Sequence, residues 1–372
     1  MVGFLIMMRI RGLSLAAFQS LLRHRAGIKT GTRHIFICIC DHWEPKWKRP
    51  ARSVERERVD RWCRDYPVAV KGIEDSRGRP PQHTFFYPEE EYEAEYLESL
   101  AALCRRGFGE VEVHLHHNDD TPDGLREKLD RFTRTLYEDH GLLRSDVAGR
   151  ITYGFIHGNW ALNNSHPQGR WCGVNDETSI LRDTGCYADF TMPSAPDPCQ
   201  TSTINSIYYA LGDSHRPKSH DSGQPARVGQ QRLLDRLLMV QGPLSLNWSS
   251  RKWGLVPKLE NGDLTAANPA SLLRLQRWCA ANVHVAGRED WIFIKLHTHG
   301  AQEANSAMLL GEPMQRFHTE LANYSKQCGS WKYWYVTARE LAELIHEAEN
   351  GASDPSFSPV ENRFIRESKR GK

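Results

Sequence analysis

His34-Ile35-Phe36-Ile37-Cys38-Ile39-Cys40 is a continuous apolar run that stops at Asp41-His42-Trp43-Glu44-Pro45. A strand with one wet face alternates apolar and polar residues. A run without that alternation is covered on both faces, which is the profile of a buried parallel strand whose C-terminal end opens into a polar loop. The rest of the chain repeats this pattern. Strand-like runs are predicted at His83–Pro88, Val111–Leu115, Ile151–His157, Cys186–Pro193, Trp291–Leu296 and Trp331–Thr337. Helical spacing is predicted between them, over 51–66, 89–106, 124–137, 179–184 and 269–281, with a strand and hairpin region over 232–260. Thr337-Ala338-Arg339-Glu340 has the form of a capping box ahead of Leu341, Leu344 and Ile345. Strand and helix in alternation predict a parallel α/β sheet or barrel.

Polar clusters recur at the ends of these runs: Asp41-His42, His114 to Asp120, His157-Gly158-Asn159-Trp160, Asp189, and His297-Thr298-His299. In an α/β barrel such ends gather on one rim, where active sites lie. The densest is Val111-Glu112-Val113-His114-Leu115-His116-His117-Asn118-Asp119-Asp120. Successive strand side chains point to opposite faces, so His114 and His116 share one and His117 points elsewhere unless the strand has ended. Two imidazoles two residues apart on a strand can hold one divalent ion. The bland alternative is a polar strand end with unrelated histidines.

Composition narrows the classes. A net charge of +2 gives no case for nucleic acid or an anionic membrane as partner, and 40% hydrophobic with 25% charged residues is the balance of a globular protein. No run approaches the about 18 apolar residues of a spanning helix. The start, Gly3 to Met8 followed by Arg9 and Arg11, makes a poor signal peptide. Nine scattered cysteines without a C-x-x-C pair favour a reducing compartment, so a cytoplasmic location is expected. Residues 12–26 read as a short basic amphipathic helix, and the chain divides into an N-terminal arm (1–30), one α/β unit (31–348) with a loop-rich insertion near 193–231, and a polar tail (349–372).

The order of motifs resembles the NodB-type polysaccharide deacetylase superfamily, over roughly residues 33–347. Asp41-His42 stands where that family opens on an acidic pair. Thr84-Phe85-Phe86 matches its Thr-Phe-Phe strand, and Gly109-Glu110 leads to His114-Leu115-His116-His117-Asn118 at its histidine strand. Leu296-His297, with His299 beyond, and Tyr335-Val336-Thr337 match its closing strands. His42 replaces the second aspartate, Asn118 stands at the second histidine of the family's spaced pair, and His157-Gly158-Asn159-Trp160 stands in place of its arginine-proline motif.

The resemblance implies an irregular (β/α)7-type barrel and a metal-dependent hydrolase that removes an N-acyl group from an amino-sugar glycan or glycan precursor. It implies a divalent ion, zinc by ligand type, held by His114 and His116, with Asp41, His42 and His117 as further candidates. Asp41 is either base or ligand, and His297, with His299 as rival, is the acid. His157, Asn159, Trp160 and Asp189 are candidates for the substrate groove, Trp43 and Trp47 for stacking on sugar faces, and glycan-assembly enzymes for partners. Two alternatives stand beside this: a glycosidic-bond hydrolase using two carboxylates such as Asp41 and Asp189, and an inactive glycan-binding barrel.

Overall fold

The computed structural model describes residues 31–357 together with Leu13, Ala17 and Leu21. The helix expected over 12–26 otherwise lies outside the described residues. Leu13 and Ala17 are buried with Ala195 and Leu244.

The elements are β1 (Arg33–His42), α1 (Arg52–Ala69), β2 (His83–Pro88), α2 (Ala94–Arg105), β3 (Gly109–Leu115), α3 (Pro122–Arg134), β4 (Arg144–Ser145) and β5 (Ile151–His157). There follow α4 (Glu177–Asp183), β6 (Cys186–Asp189), β7 (Ser206–Ala210), β8 (Gly223–Pro225), β9 (Leu238–Gln241), β10 (Ser245–Lys252), β11 (Val256–Glu260) and β12 (Asp263–Leu264). The chain continues through α5 (Leu272–Ala281), β13 (Trp291–Thr298), α6 (Glu303–Leu309), α7 (Glu312–Cys328), β14 (Trp331–Tyr335) and α8 (Ala338–Glu349).

The fold is mixed α/β around one large, mostly parallel sheet. Its strands run in the order β12-β13-β1-β2-β3-β5-β6-β9-β7-β8, with β14 beside β1 and β4 beside β5. The β4–β5, β7–β8 and β7–β9 pairs are antiparallel. Backbone bonds outside the ladders link the far strands. Phe293 N donates to Val283 O (2.9 Å), Ala286 N to Ala226 O (2.9 Å), and Ala226 N to Ile207 O (2.9 Å).

β1 shows why its run is unbroken. Ile35, Ile37 and Ile39 join a core with Trp62 and Tyr66 of α1 and Phe317 and Leu321 of α7. The alternate residues Phe36, Cys38 and Cys40 join a second core with Phe293, Phe190 and Leu341, Leu344 and Ile345 of α8. Both faces of the strand are dry, and replacing a side chain as large as Trp62 by alanine would cost about 3–5 kcal/mol. At the start of α8 the Thr337 side chain accepts from Glu340 N and the Glu340 side chain from Thr337 N, so both halves of the capping box form.

Two stretches differ from expectation. The loop-rich region near 193–231 contains β7 and β8, because Ile207, Tyr208 and Tyr209 bury their side chains while pairing with β9. The chain after Gly300, for which no helix was expected, forms α6 and α7, with Met314, Phe317 and Leu321 buried at helical spacing. All nine cysteines are free. No helix among the described residues is long and apolar enough to cross a membrane.

Candidate metal centre

Parallel pairing brings the strand ends to one rim. Cys40 lies beside His297 and Asp41 beside Thr298, Pro88 beside His114, Leu115 beside His157, and Phe155 beside Asp189. Each strand therefore delivers its terminal polar residues to the same edge, and the loops that follow decide which of them meet.

The residue around which they meet is Glu44, in the turn after β1. Its Oε1 lies 3.4 Å from His114 Nε2 and 3.5 Å from His116 Nε2. The His114 and His116 rings are 4.6 Å apart. His114 Nδ1 donates to Ile156 O (2.8 Å), which orients the ring with Nε2 toward Glu44. His116 Nδ1 is bound by Glu90 Oε1, which fixes the second ring in the same sense. Ligating histidines are oriented by such partners, a backbone carbonyl for one and a carboxylate for the other. His114 is fully buried and its Nε2 has no hydrogen-bond partner. Burial lowers the His116 imidazole, but the Glu90 and Glu44 carboxylates outweigh it and hold it above its usual range, so Glu44 favours positive charge, a proton or a cation, between itself and the rings. Two imidazole nitrogens and one carboxylate, with Glu44 and His116 partly open to solvent, form a donor set that fits a zinc-type ion with a free position.

Glu44 also has His42 and His299 nearby, with ring centroids 4.8 Å apart; the His42 ring is 4.9 Å from that of His114. His42, Glu44 and His299 also bring donor atoms within reach of one ion. Burial, then the neighbouring His299 and His114, hold His42 well below the usual histidine range. Burial also lowers His299 and His297. Burial pushes the Glu44 carboxyl up, but the surrounding imidazoles, His114 first, outweigh it and leave it below its ordinary value. His297 is buried, its ring is 6.4 Å from that of His42, and its Nδ1 has no partner.

Asp41 is fully buried, and both of its oxygens are engaged away from the histidine pair. Oδ2 accepts from His83 Nε2 (2.7 Å) and Oδ1 from Gly300 N (2.6 Å). A Cβ at position 300 would stand 2.1 Å from Asp41 Oδ2, so only glycine allows this approach. The carboxylate thus holds the backbone directly after His299.

The remaining candidates separate. β3 ends at Leu115, and His117 turns away from His116 to meet His157, Cys172 and Glu177. His157 is fully buried, Asn159 exposed and Trp160 half-buried. Asp189 is buried and accepts from Thr191 N (3.0 Å) and Oγ1 (2.7 Å); burial pushes its carboxyl up to about 7. Trp43 is buried against Trp62 and Phe85, so it packs the core and offers no face to a sugar. Trp47 is half-buried under Lys48.

Sequence reading missed Glu44, Glu90, His83, Cys172 and Glu177. Glu44 carried one signal, an acidic residue just past a histidine-bearing strand end. Glu90 sits in Glu89-Glu90-Glu91 and carried none.

No family model matches the chain, and no curated protein does. Among solved structures, one described as a "putative polysaccharide deacetylase" from Mycobacterium smegmatis is similar at 14% identity and a TM-score of 0.41, over 87% of this chain and 94% of that one. The chemistry of the centre is accordingly read from its own side chains.

Proposed function

We propose that this chain is a metal-dependent hydrolase that removes an N-acyl group from an amino-sugar glycan or glycan precursor. We propose further that its sheet is an irregular barrel, completed by Val283 and Ala286 between β13 and Ala226. One observation carries the hydrolase reading: the Nε2 atoms of His114 and His116 converge on one oxygen of Glu44 at the open rim of the sheet. The amino-sugar substrate rests on the motif order of the sequence.

His114, His116 and Glu44 are the ligands in this reading, with zinc favoured by the mixed imidazole and carboxylate set. A bound ion there supplies Lewis acidity toward an amide carbonyl and lowers the pKa of water. Glu90 and Ile156 O keep the two imidazoles in the ligating tautomer. His299, half-buried and within reach of Glu44, takes a proton from the attacking water and returns it to the leaving nitrogen. Asp41 is a positioning residue: through Gly300 N it sets the turn that carries His299, and His83 holds Asp41 in place.

The test is metal analysis together with acetate release from N-acetylated oligosaccharides. The unmutated chain is expected to carry about one more zinc than His114→Ala, and the variant is expected to lose acetate release by about a thousandfold. Equal metal in the two proteins overturns the centre. Metal bound with no acetate released, but with new reducing ends from the same oligosaccharides, overturns the amide assignment and moves the reaction to the glycosidic bond.

A further inference from the structure

Behind the wall of this centre, His117, His157, Cys172 and Glu177 are buried side by side, and all their donor atoms lie within 4.8 Å of one another. We propose that these four side chains form a second, structural zinc site that pins the segment between β5 and α4. It goes beyond the hydrolase reading and does not depend on it.

The spacing fits. Ligand atoms at the corners of a zinc tetrahedron are about 3.3–3.7 Å apart, given bonds of about 2.0–2.3 Å. Here Glu177 Oε1 is 3.2 Å from His117 Nε2 and 3.6 Å from His157 Nε2, and Glu177 Oε2 is 3.3 Å from Cys172 Sγ. The donors are also oriented. His157 Nδ1 is tied to Gly158 O, which leaves Nε2 facing Glu177, buried and without a hydrogen-bond partner. His117 Nδ1 lies 3.2 Å from Asp120 Oδ2, the carboxylate-behind-histidine arrangement of metal sites. Cys172 Sγ faces two backbone amides, Asn164 N at 3.2 Å and Val174 N at 3.4 Å. Burial and the Glu177 carboxylate nevertheless push its thiol up, and a bound cation is what would deprotonate it. A thiolate and a carboxylate together balance a divalent cation, so the filled site carries no uncompensated buried charge.

Four protein donors with no open position describe a structural site, and the thiolate with two imidazoles selects zinc over harder ions. The ligands join the ends of β3 and β5, the loop at Cys172 and the first residue of α4. The loop between them holds Asn159, Trp160, Asn163, Asn164 and Trp171 at positive φ, a conformation that costs energy and must be held from outside. The same loop reaches the first centre: a Cβ on Gly158 would stand 2.2 Å from His116 Cδ2. A zinc here would therefore fix the surface against which His116 packs.

The experiment measures zinc per chain and the optical spectrum of cobalt-substituted protein, for the unmutated chain, Cys172→Ala, His157→Ala and His114→Ala. Cys172→Ala and His157→Ala are each expected to lose about one zinc. The cobalt-substituted chain is expected to show a sulfur-to-cobalt charge-transfer band that persists in His114→Ala. That persistence separates this site from the first: if the hydrolase centre fails, His114→Ala keeps all its metal while Cys172→Ala still loses one equivalent. Because loss of a ligand can unfold the loop, the unmutated chain supplies the decisive reading. A cobalt-loaded chain without the thiolate band, or a Cys172→Ala chain with undiminished zinc, overturns the proposal.

Discussion

Strand β3 carries two different kinds of site on one of its faces. Glu110 and Glu112 stand near its start, His114 at its end and His116 just beyond. Glu112 is fully satisfied: Gly154 N (2.5 Å), Tyr187 Oη (2.8 Å) and Arg339 Nη2 (3.2 Å) all donate to it. Arg339 in turn donates to Thr152 O and Thr152 Oγ1, and its backbone N to Glu110. Two residues along from Glu112, His114 has one nitrogen bonded and the other bare. Buried polar groups that saturate one another specify structure, whereas a buried polar atom left bare marks a place built for something else. The contrast between the two ends of one strand, rather than the count of histidines, separates scaffold from centre.

The comparison can be broken at its base first. Arg339→Leu leaves Glu112 buried beside Glu110 without its counter-charge, and burial already pushes the Glu112 carboxyl up to about 8. The expected loss is about 3–5 kcal/mol in urea unfolding, with Glu112→Gln in the same chain restoring part of it. A loss below about 1 kcal/mol would show that the base network is not structural.

At the rim the expectation is the reverse. His299→Gln should lower kcat on an N-acetylated oligosaccharide about a hundredfold, with urea stability nearly unchanged and the zinc removed by His114→Ala still present. Full turnover in this variant would remove His299 from the reaction.

A third histidine sharpens the distinction, because it is buried for packing alone. His318 of α7 bonds Tyr335 Oη through Nδ1 (2.6 Å), and burial lowers its pKa to about 3 from 6.5. The folded state holds it neutral, so its contribution is complete above pH 6.5 and is lost as the pH falls toward 3. At pH 5 the loss is about 2 kcal/mol relative to pH 7. His318→Gln should flatten the stability profile between pH 6.5 and 5, and an unchanged slope would assign the acid sensitivity elsewhere. The smallest effect is local: Thr337→Ala removes the cap of α8 and should cost about 1 kcal/mol by thermal unfolding, without altering metal content.

Much of the frame was legible. Unbroken apolar runs ending in polar clusters indicate buried parallel strands, and the Thr337 to Glu340 spacing indicates a helix start, because both are set by local geometry. The antiparallel β7 was hidden among the turn residues of 193–231, and the helices after Gly300 lay in a stretch where no helical spacing was recognised. The rim itself was suggested by the strand ends, but its partners were not.

By itself, the sequence determined which residues share a strand face: alternation puts Glu110, Glu112, His114 and His116 on one side wherever β3 sits. Only the tertiary structure decided what each of them meets. Glu44 reaches His114 across 70 positions of chain, Glu177 reaches His117 across 60, and Arg339 reaches Glu112 across 227. Periodicity is a property of neighbouring residues, whereas charge pairing and ligand convergence depend on loops that turn the chain back. The direction of those turns is set by packing of the whole sheet.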